Sequence, residues 1–375
     1  MNNCTKQTQI ILLVIIVVSG GKFLSLPGLM AKLAGRDSWA SMAIMFAVDF
    51  VCLVFILWAV YLNKGKSFDQ ILSDTLSPVG AKIVFAIYAF FFVLRIMGGL
   101  LDTQELISSS LSVVTNWVAF IVPILFVAGF NVVRGARNIG RITQIFFGFI
   151  FASVIMILLL SLKNTNFSNL QPHFANGFGV VAKSALDVSF WFSDCLFVLF
   201  MLGKITKTGC FTVKVLLAFL VGAGITLLLD MIFLCLFGNL AEFSSSALAK
   251  VSGFNLTGSV YGRIDWIFVM IWASSIIIKC TLFLWSATMA LSFVFGVKNK
   301  KGYTTIFVAI SLLFVLLPLV FPIKNVIVEF FCLGAGKYVT ISVQYVLPLF
   351  MPLLTFLSNK KNKQKGEKHA KQTSG

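Results

Sequence analysis

The chain has 375 residues, of which 59% are hydrophobic and 11% charged, with a formal net charge of +17 and a mean hydropathy of +0.97. Soluble domains carry roughly 25% charged residues, so this composition excludes a soluble globular protein and describes a polytopic helical membrane protein. The positive charge collects in short loops and the C-terminal tail, a topology signal rather than a nucleic-acid surface. Membrane lipids are the expected surroundings, and no nucleic-acid partner is expected.

The first apolar run, Ile10 to Met30, is broken by Ser19-Gly20-Gly21-Lys22. Lys22 lies twelve residues after Ile10, about 18 Å along a helix, near the middle of a hydrocarbon core of about 30 Å. Gly20 and Gly21 weaken the helix there. Unwound backbone at that depth is tolerated only where protein or a water-filled cavity receives its free N–H and C=O groups. A polar cavity beside this break is therefore expected. Lys6 followed by Ile10–Val18 also has the pattern of a cleaved signal peptide. The apolar run continues through Leu29, so a signal-anchor role is the simpler expectation.

The apolar runs predict ten spans, at about 8–32, 39–62, 82–107, 114–133, 140–162, 187–204, 214–238, 264–296, 304–322 and 337–357. They form a single transmembrane domain, residues 1–357, followed by a basic, disordered tail over 358–375. The stretch 63–80 carries Phe68, Ile71 and Leu72 at helical spacing and reads as a short surface helix. Of the 30 Lys and Arg, nineteen fall at the N-terminus, in every second loop from the one after span two, and in the tail. Eight fall in the opposite loops and three inside spans. This asymmetry puts both termini on the cytoplasmic side of the membrane.

The three cations inside spans are Lys22, Arg95 and Lys279, and the three acids deepest inside spans are Asp49, Asp194 and Asp230. Each such charge costs at least about 2.5 kcal/mol on insertion scales. Along their helices all six come out in one central layer, either as a substrate or ion site or as a structural ion-pair network. Lys22 suits a ligand carboxylate beside an exposed half-helix end, or a salt bridge to Asp49. Arg95 suits a carboxylate fork or a pair with Asp194 or Asp230. Lys279 suits a place where a coupling cation would sit, proton carriage or an interhelical tie. The expected substrate-binding set is Ser19, Gly20, Gly21, Lys22, Arg95, Phe192, Ser193, Asp194 and Lys279, with Asp49 and Asp230 in the surrounding charge network.

The sixth span repeats the interruption, with Ser189-Phe190-Trp191-Phe192-Ser193-Asp194-Cys195 breaking a short apolar run. Interruptions in the first and sixth of ten spans are corresponding positions of two five-helix halves. That points to an all-α, 5+5 inverted-repeat (LeuT-like) transporter fold with broken helices 1 and 6. Gly135 to Arg141 reads as a tight polar turn, not a phosphate loop, since no G-x-x-x-x-G-K-[ST] pattern is present. His173 alone makes no metal site, and no cofactor is called for. The seven cysteines are scattered, without a C-x-x-C pair, and read as small buried apolar side chains. No nucleophile–base arrangement argues for an enzyme.

Four stretches carry a resemblance. They are Leu26-Pro27 with Ala34-Gly35-Arg36-Asp37-Ser38-Trp39; Gly135 through Arg141 into the fifth span, ending in Asn169-Leu170-Gln171-Pro172; Gly262-Arg263-Ile264-Asp265-Trp266 with Trp272 and Lys279; and Arg95. In order and spacing, over roughly residues 8–357, the chain resembles the spore germination permeases, the B-type subunits of bacterial germinant receptors, in the amino acid–polyamine–organocation superfamily. Asp265 stands where that family usually has Glu, Asp194 where an acid, often Glu, is typical, and Lys22 is less expected beside the first-helix break. The resemblance implies a ten-helix inverted-repeat subunit of the spore inner membrane that binds an amino-acid-like germinant between the broken helices and spans three and eight. It implies partners too: a larger A-type membrane subunit and a C-type lipoprotein. An ion- or proton-coupled amino acid or polyamine permease of the same fold is the alternative.

Overall fold

A computed structural model of the chain describes residues 6–63, 65–111, 118–162, 164–171, 174, 177–203, 210–244, 247, 250–251, 265–297, 301–320, 323–332 and 334–373. Every regular element among these residues is helical. In chain order they are α1 (Gln7–Ser19), α2 (Lys22–Ala34), α3 (Ser38–Leu62), α4 (Phe68–Thr75), α5 (Pro78–Leu111), α6 (Val118–Arg134), α7 (Ala136–Leu162) and α8 (Phe178–Asp187). The short α9 (Phe197–Phe200) follows, then α10 (Phe211–Phe237), α11 (Asp265–Val294), α12 (Lys301–Val320), α13 (Ile323–Cys332), α14 (Lys337–Ile341) and α15 (Leu347–Thr373).

Six helical stretches are long and apolar enough to cross a membrane: Gln7–Leu62, Pro78–Ser108, Ala136–Leu162, Phe211–Phe243, Ala273–Val294 and Lys337–Lys361. The first covers the first two expected spans. Two shorter apolar helices, Ala119–Arg134 and Gly302–Leu317, lie on the expected fourth and ninth. Large apolar side chains such as Trp58, Phe126, Phe149, Leu159, Leu217 and Phe356 face outward. Soluble proteins rarely expose so continuous an apolar surface, which here suits lipid. The chain is a membrane protein.

Two departures from regular helix position the interior. Between α1 and α2, Gly20 adopts an extended backbone (φ −69°, ψ 133°) and Gly21 a positive φ of 86°. A Cβ on Gly20 would stand 2.5 Å from the Ile16 carbonyl oxygen, so only glycine fits. The expected sixth span is not one helix. It begins where α8 ends and is assembled from 3-10 turns at Ser189–Trp191 and Asp194–Leu196 and the four-residue α9, with Ser193 left-handed (φ 62°) between the turns.

Helix α11 packs on α5, α6, α7, α12 and α1 and forms the centre of the bundle. Its Thr281, Ser286, Thr288 and Ser292 donate to carbonyls four residues back, which satisfies their hydroxyls without water. Gly222 on α10 lets α1 approach closely, since a Cβ there would lie 3.1 Å from the Ile15 carbonyl oxygen. The tenth expected span carries a π-helical turn, Ser342–Val346, between α14 and α15. Helix α15 continues past residue 358 to Thr373, into the segment expected to be a disordered tail.

Each end of the bundle has its own lock. At one end, the turn after α2 is held by Arg36, which donates to the Gln171 carbonyl and, at 3.0 Å, to Asn239 Oδ1. Asp37 accepts from the Phe174 amide at 2.8 Å, and Asn169 donates to the Cys235 carbonyl at 2.8 Å. At the other end, a capping box of Ser67 and Gln70 starts α4. Lys66 there bridges Asp74 (2.9 Å) and Ser358 Oγ (2.6 Å), tying α4 to α15. The expected surface helix over 63–80 is thus a packed one, with Phe68, Ile71 and Leu72 buried.

Candidate functional site

The two breaks meet. Lys22, the first residue of α2, donates to Asp194 Oδ2 and to the Val18 carbonyl at 3.1 Å, the last turn of α1. Arg95 on α5 donates to Asp194 Oδ1 and, at 3.3 Å, to the Trp191 carbonyl. Lys279 on α11 stands 3.0 Å from the same oxygen. One carboxylate, 1% exposed, thus binds three cations from three separate helices. Removing ions this completely from solvent is tolerable only with such pairing.

Aromatic faces surround the cations. Lys22 Nζ lies 5.7 Å from the Phe46 ring centre and 5.3 Å from that of Phe192. Arg95 lies 5.2 Å from Phe190 and 5.5 Å from Phe283, and Lys279 lies 5.8 Å from Phe283. Each is within the range at which a ring quadrupole attracts a cation.

Asp49 is a neighbour of this cluster with a different task. It accepts from the Ser193 amide at 2.7 Å and hydroxyl at 3.3 Å, and from Tyr345 Oη at 3.1 Å. It therefore holds the left-handed residue that starts the second half of the sixth segment. The alternative Lys22–Asp49 salt bridge is not formed: Lys22 pairs with Asp194, while Asp49 is engaged by the Ser193 backbone and by Tyr345 of the π turn. Arg95 likewise takes Asp194 rather than Asp230. Asp230 stands apart from the cluster: its Oδ2 accepts from Ser38 Oγ at 3.4 Å, and its Oδ1 has no partner among the described residues. It shares a helix depth with the others, but it faces the start of α3.

A small cavity of about 20 Å³, room for about one water, opens beside the cluster. Of the expected substrate-binding residues, Gly21, Arg95 and Lys279 line it. Lys279, 13% exposed, is the most accessible of the three cations bound to Asp194. Ser19 turns back to the Ile15 carbonyl at 2.8 Å, and Gly20 packs on Ser275. Lys22, Phe192, Ser193 and Asp194 form a second layer behind the wall.

Three residues around the cluster escaped the sequence reading. Asp102, on α5, lines the cavity and accepts from Ser25 Oγ and, at 3.2 Å, from Trp191 Nε1. Its signal was its place seven residues after Arg95, on the same helix face. Trp191 and Tyr345 carried no signal of their own, being aromatic residues in apolar runs. Gly262, Arg263, Ile264, Pro172 and His173 lie outside the described residues, as do the side chains of Asp265, Trp266 and Trp272.

The motif residues of the first turn and of the loop before α8 are the ones that lock one end of the bundle. The family model for spore germination proteins matches residues 4–321, most of the chain and all of the cluster. The chain belongs to the spore germination protein family. No curated protein matches it. In this spore germination protein, then, Arg36, Asp37 and Asn169 hold the fold together, while the charged interior lies between the two breaks.

Proposed function

We propose that this chain is the permease-like, B-type subunit of a germinant receptor, and that it binds a small amino-acid-like ligand at the cluster of Lys22, Arg95, Asp194 and Lys279. The observation that carries this reading is the convergence of two backbone breaks on one buried carboxylate with three cations, beside a cavity. A merely structural tie needs one pair, whereas this arrangement leaves cationic donors at a cavity wall. Family membership supports a role in germination.

On this reading the chain crosses the membrane ten times in a 5+5 inverted repeat, with the interrupted segments as helices 1 and 6. Both termini are cytoplasmic, from the distribution of Lys and Arg. The turn after α2 then faces outward, and α4 with the tail end of α15 faces the cytoplasm. An A-type membrane subunit and a C-type lipoprotein complete the receptor. The chain acts as a ligand-triggered switch and has no enzymatic role.

The test is twofold. Spores carrying the protein are challenged with a panel of amino acids, and the chain alone, in proteoliposomes, is assayed for uptake of the same labelled amino acids. A germination response without coupled uptake supports the receptor. Robust coupled uptake by the isolated chain supports the alternative, an ion- or proton-coupled permease of the same fold.

A further inference from the structure

We propose that Asp102 receives the ammonium group of a zwitterionic ligand in the central cavity, and that Trp191 is the latch that closes this cavity. The inference rests on the amino-acid-like ligand of the proposed function.

Two cations, Arg95 and Lys279, and one acid, Asp102, line the cavity. Arg95 and Lys279 carry more N–H donors than their acceptors among the described residues engage. A ligand carboxylate can take the remainder without displacing Asp194. Asp102, by contrast, is bonded to two neutral donors, the Ser25 hydroxyl and the Trp191 indole. A carboxylate so placed gains more from a cation than from an indole N–H, because the cation adds a charge–charge attraction that the neutral donor lacks.

The charges also balance. Around the cluster, Lys22, Arg95 and Lys279 stand with three carboxylates, Asp194, Asp49 and Asp102, while Asp230 lies apart at Ser38, so a ligand with net charge would leave an uncompensated ion at membrane depth. A zwitterion adds none. Its two ends also match the two signs of charge on the cavity wall.

The cavity of about 20 Å³ is too small for an amino acid as it stands. A vestibule of about 630 Å³ lies on the far side of Asp102 and Trp191, which line both spaces. The Trp191–Asp102 hydrogen bond is therefore the wall between them. Trp191 ends a three-residue 3-10 turn and precedes the left-handed Ser193, so its backbone is not fixed within a long helix. If the indole swings out, the two spaces join, and the acceptor it leaves is taken up by the ligand ammonium. The opposite side stays shut: Phe283, Phe92 and Phe200 pack in succession, with centroids 5.7 and 5.2 Å apart. Beyond Phe200 lies a second open pocket of about 620 Å³. Phe190, Ile276 and Phe283 border the cavity and leave space for a small side chain only.

The experiment is equilibrium binding of labelled glycine, alanine and serine to the full-length chain in nanodiscs. Propionate, which lacks the ammonium, and ethylamine, which lacks the carboxylate, serve as competitors. We expect each to compete at least about tenfold more weakly than alanine, and Asp102→Asn to weaken alanine binding by about tenfold or more. Trp191→Phe keeps the ring and removes the N–H, so its association rate should rise severalfold without loss of affinity. Propionate competing as well as alanine, which needs no variant, overturns the ammonium assignment, as does wild-type affinity in Asp102→Asn. An unchanged association rate in Trp191→Phe overturns the latch. A wild-type chain that binds none of the panel contradicts the proposed function itself, a result distinct from binding that ignores Asp102.

Discussion

Lys22 donates to Asp194 across 172 residues of sequence, and in doing so joins the residue after the first backbone break to the residue after the second. The pair is a cross-link between the halves of two interrupted segments. Arg95 and Lys279 close on the same carboxylate from α5 and α11, so four structural units depend on one side chain.

Asp194→Asn should be the most damaging conservative change in the molecule. It leaves three cations buried around a neutral amide. Loss of one partner from a buried ion pair costs about 3–5 kcal/mol. Thermal unfolding in detergent should drop sharply, with little protein recovered from the membrane. Asp194→Glu, which keeps the charge, should recover part of that loss.

Gly20→Ala should disrupt the break rather than merely stiffen it. Its Cβ would meet the Ile16 carbonyl oxygen at 2.5 Å, and backbone cannot yield as a side-chain tip can. Gly21→Ala forces an L-residue to a φ of 86°, at a cost of about 1–2 kcal/mol. Both variants should lower the unfolding temperature, Gly20→Ala by more. Equal stability of Gly20→Ala and wild type would contradict the close approach.

Tyr345→Phe removes one donor from Asp49 and leaves the Ser193 amide in place. The expected cost is about 0.5–1.5 kcal/mol, the net worth of an ordinary hydrogen bond. Asp49→Ala removes all three bonds and frees the left-handed Ser193. It should therefore cost severalfold more, read by the same unfolding assay.

Arg36→Ala separates structure from binding. Arg36 ties the turn after α2 to Gln171 and Asn239, at a distance along α2 from the cluster. The variant should lose about 1 kcal/mol of stability while keeping ligand affinity at the temperature where it is folded. A large loss of affinity without loss of stability would mean that this turn belongs to the site.

The residues of the cluster were legible in the sequence because an apolar span makes a charge conspicuous. Lys22 and Asp194 also stood beside glycines or serines, which marked the backbone breaks. The pairing was not legible. Depth along a helix orders charges into layers, but it does not say which helix faces which, so Asp49 stood as a partner for Lys22, and Asp194 and Asp230 alike for Arg95. Asp230 turned to Ser38, and Asp49 to the Ser193 backbone. Asp102 stands inside the expected third span but near its end, where Thr103, Gln104 and Glu105 also lie, so its charge is less conspicuous there. The π turn at Ser342–Val346 left no mark that periodicity could detect, yet it carries Tyr345 to Asp49.

The most direct measurement of the central claim is the germination response of spores carrying Lys279→Met, at wild-type protein level in the membrane. Lys279 is the most exposed cation of the three and lines the cavity, and methionine keeps its length and apolar stem without the charge. The account predicts that the response to amino acids is lost while the protein remains inserted and folded. A wild-type response at normal protein level would contradict it, and would leave the cluster as structure alone.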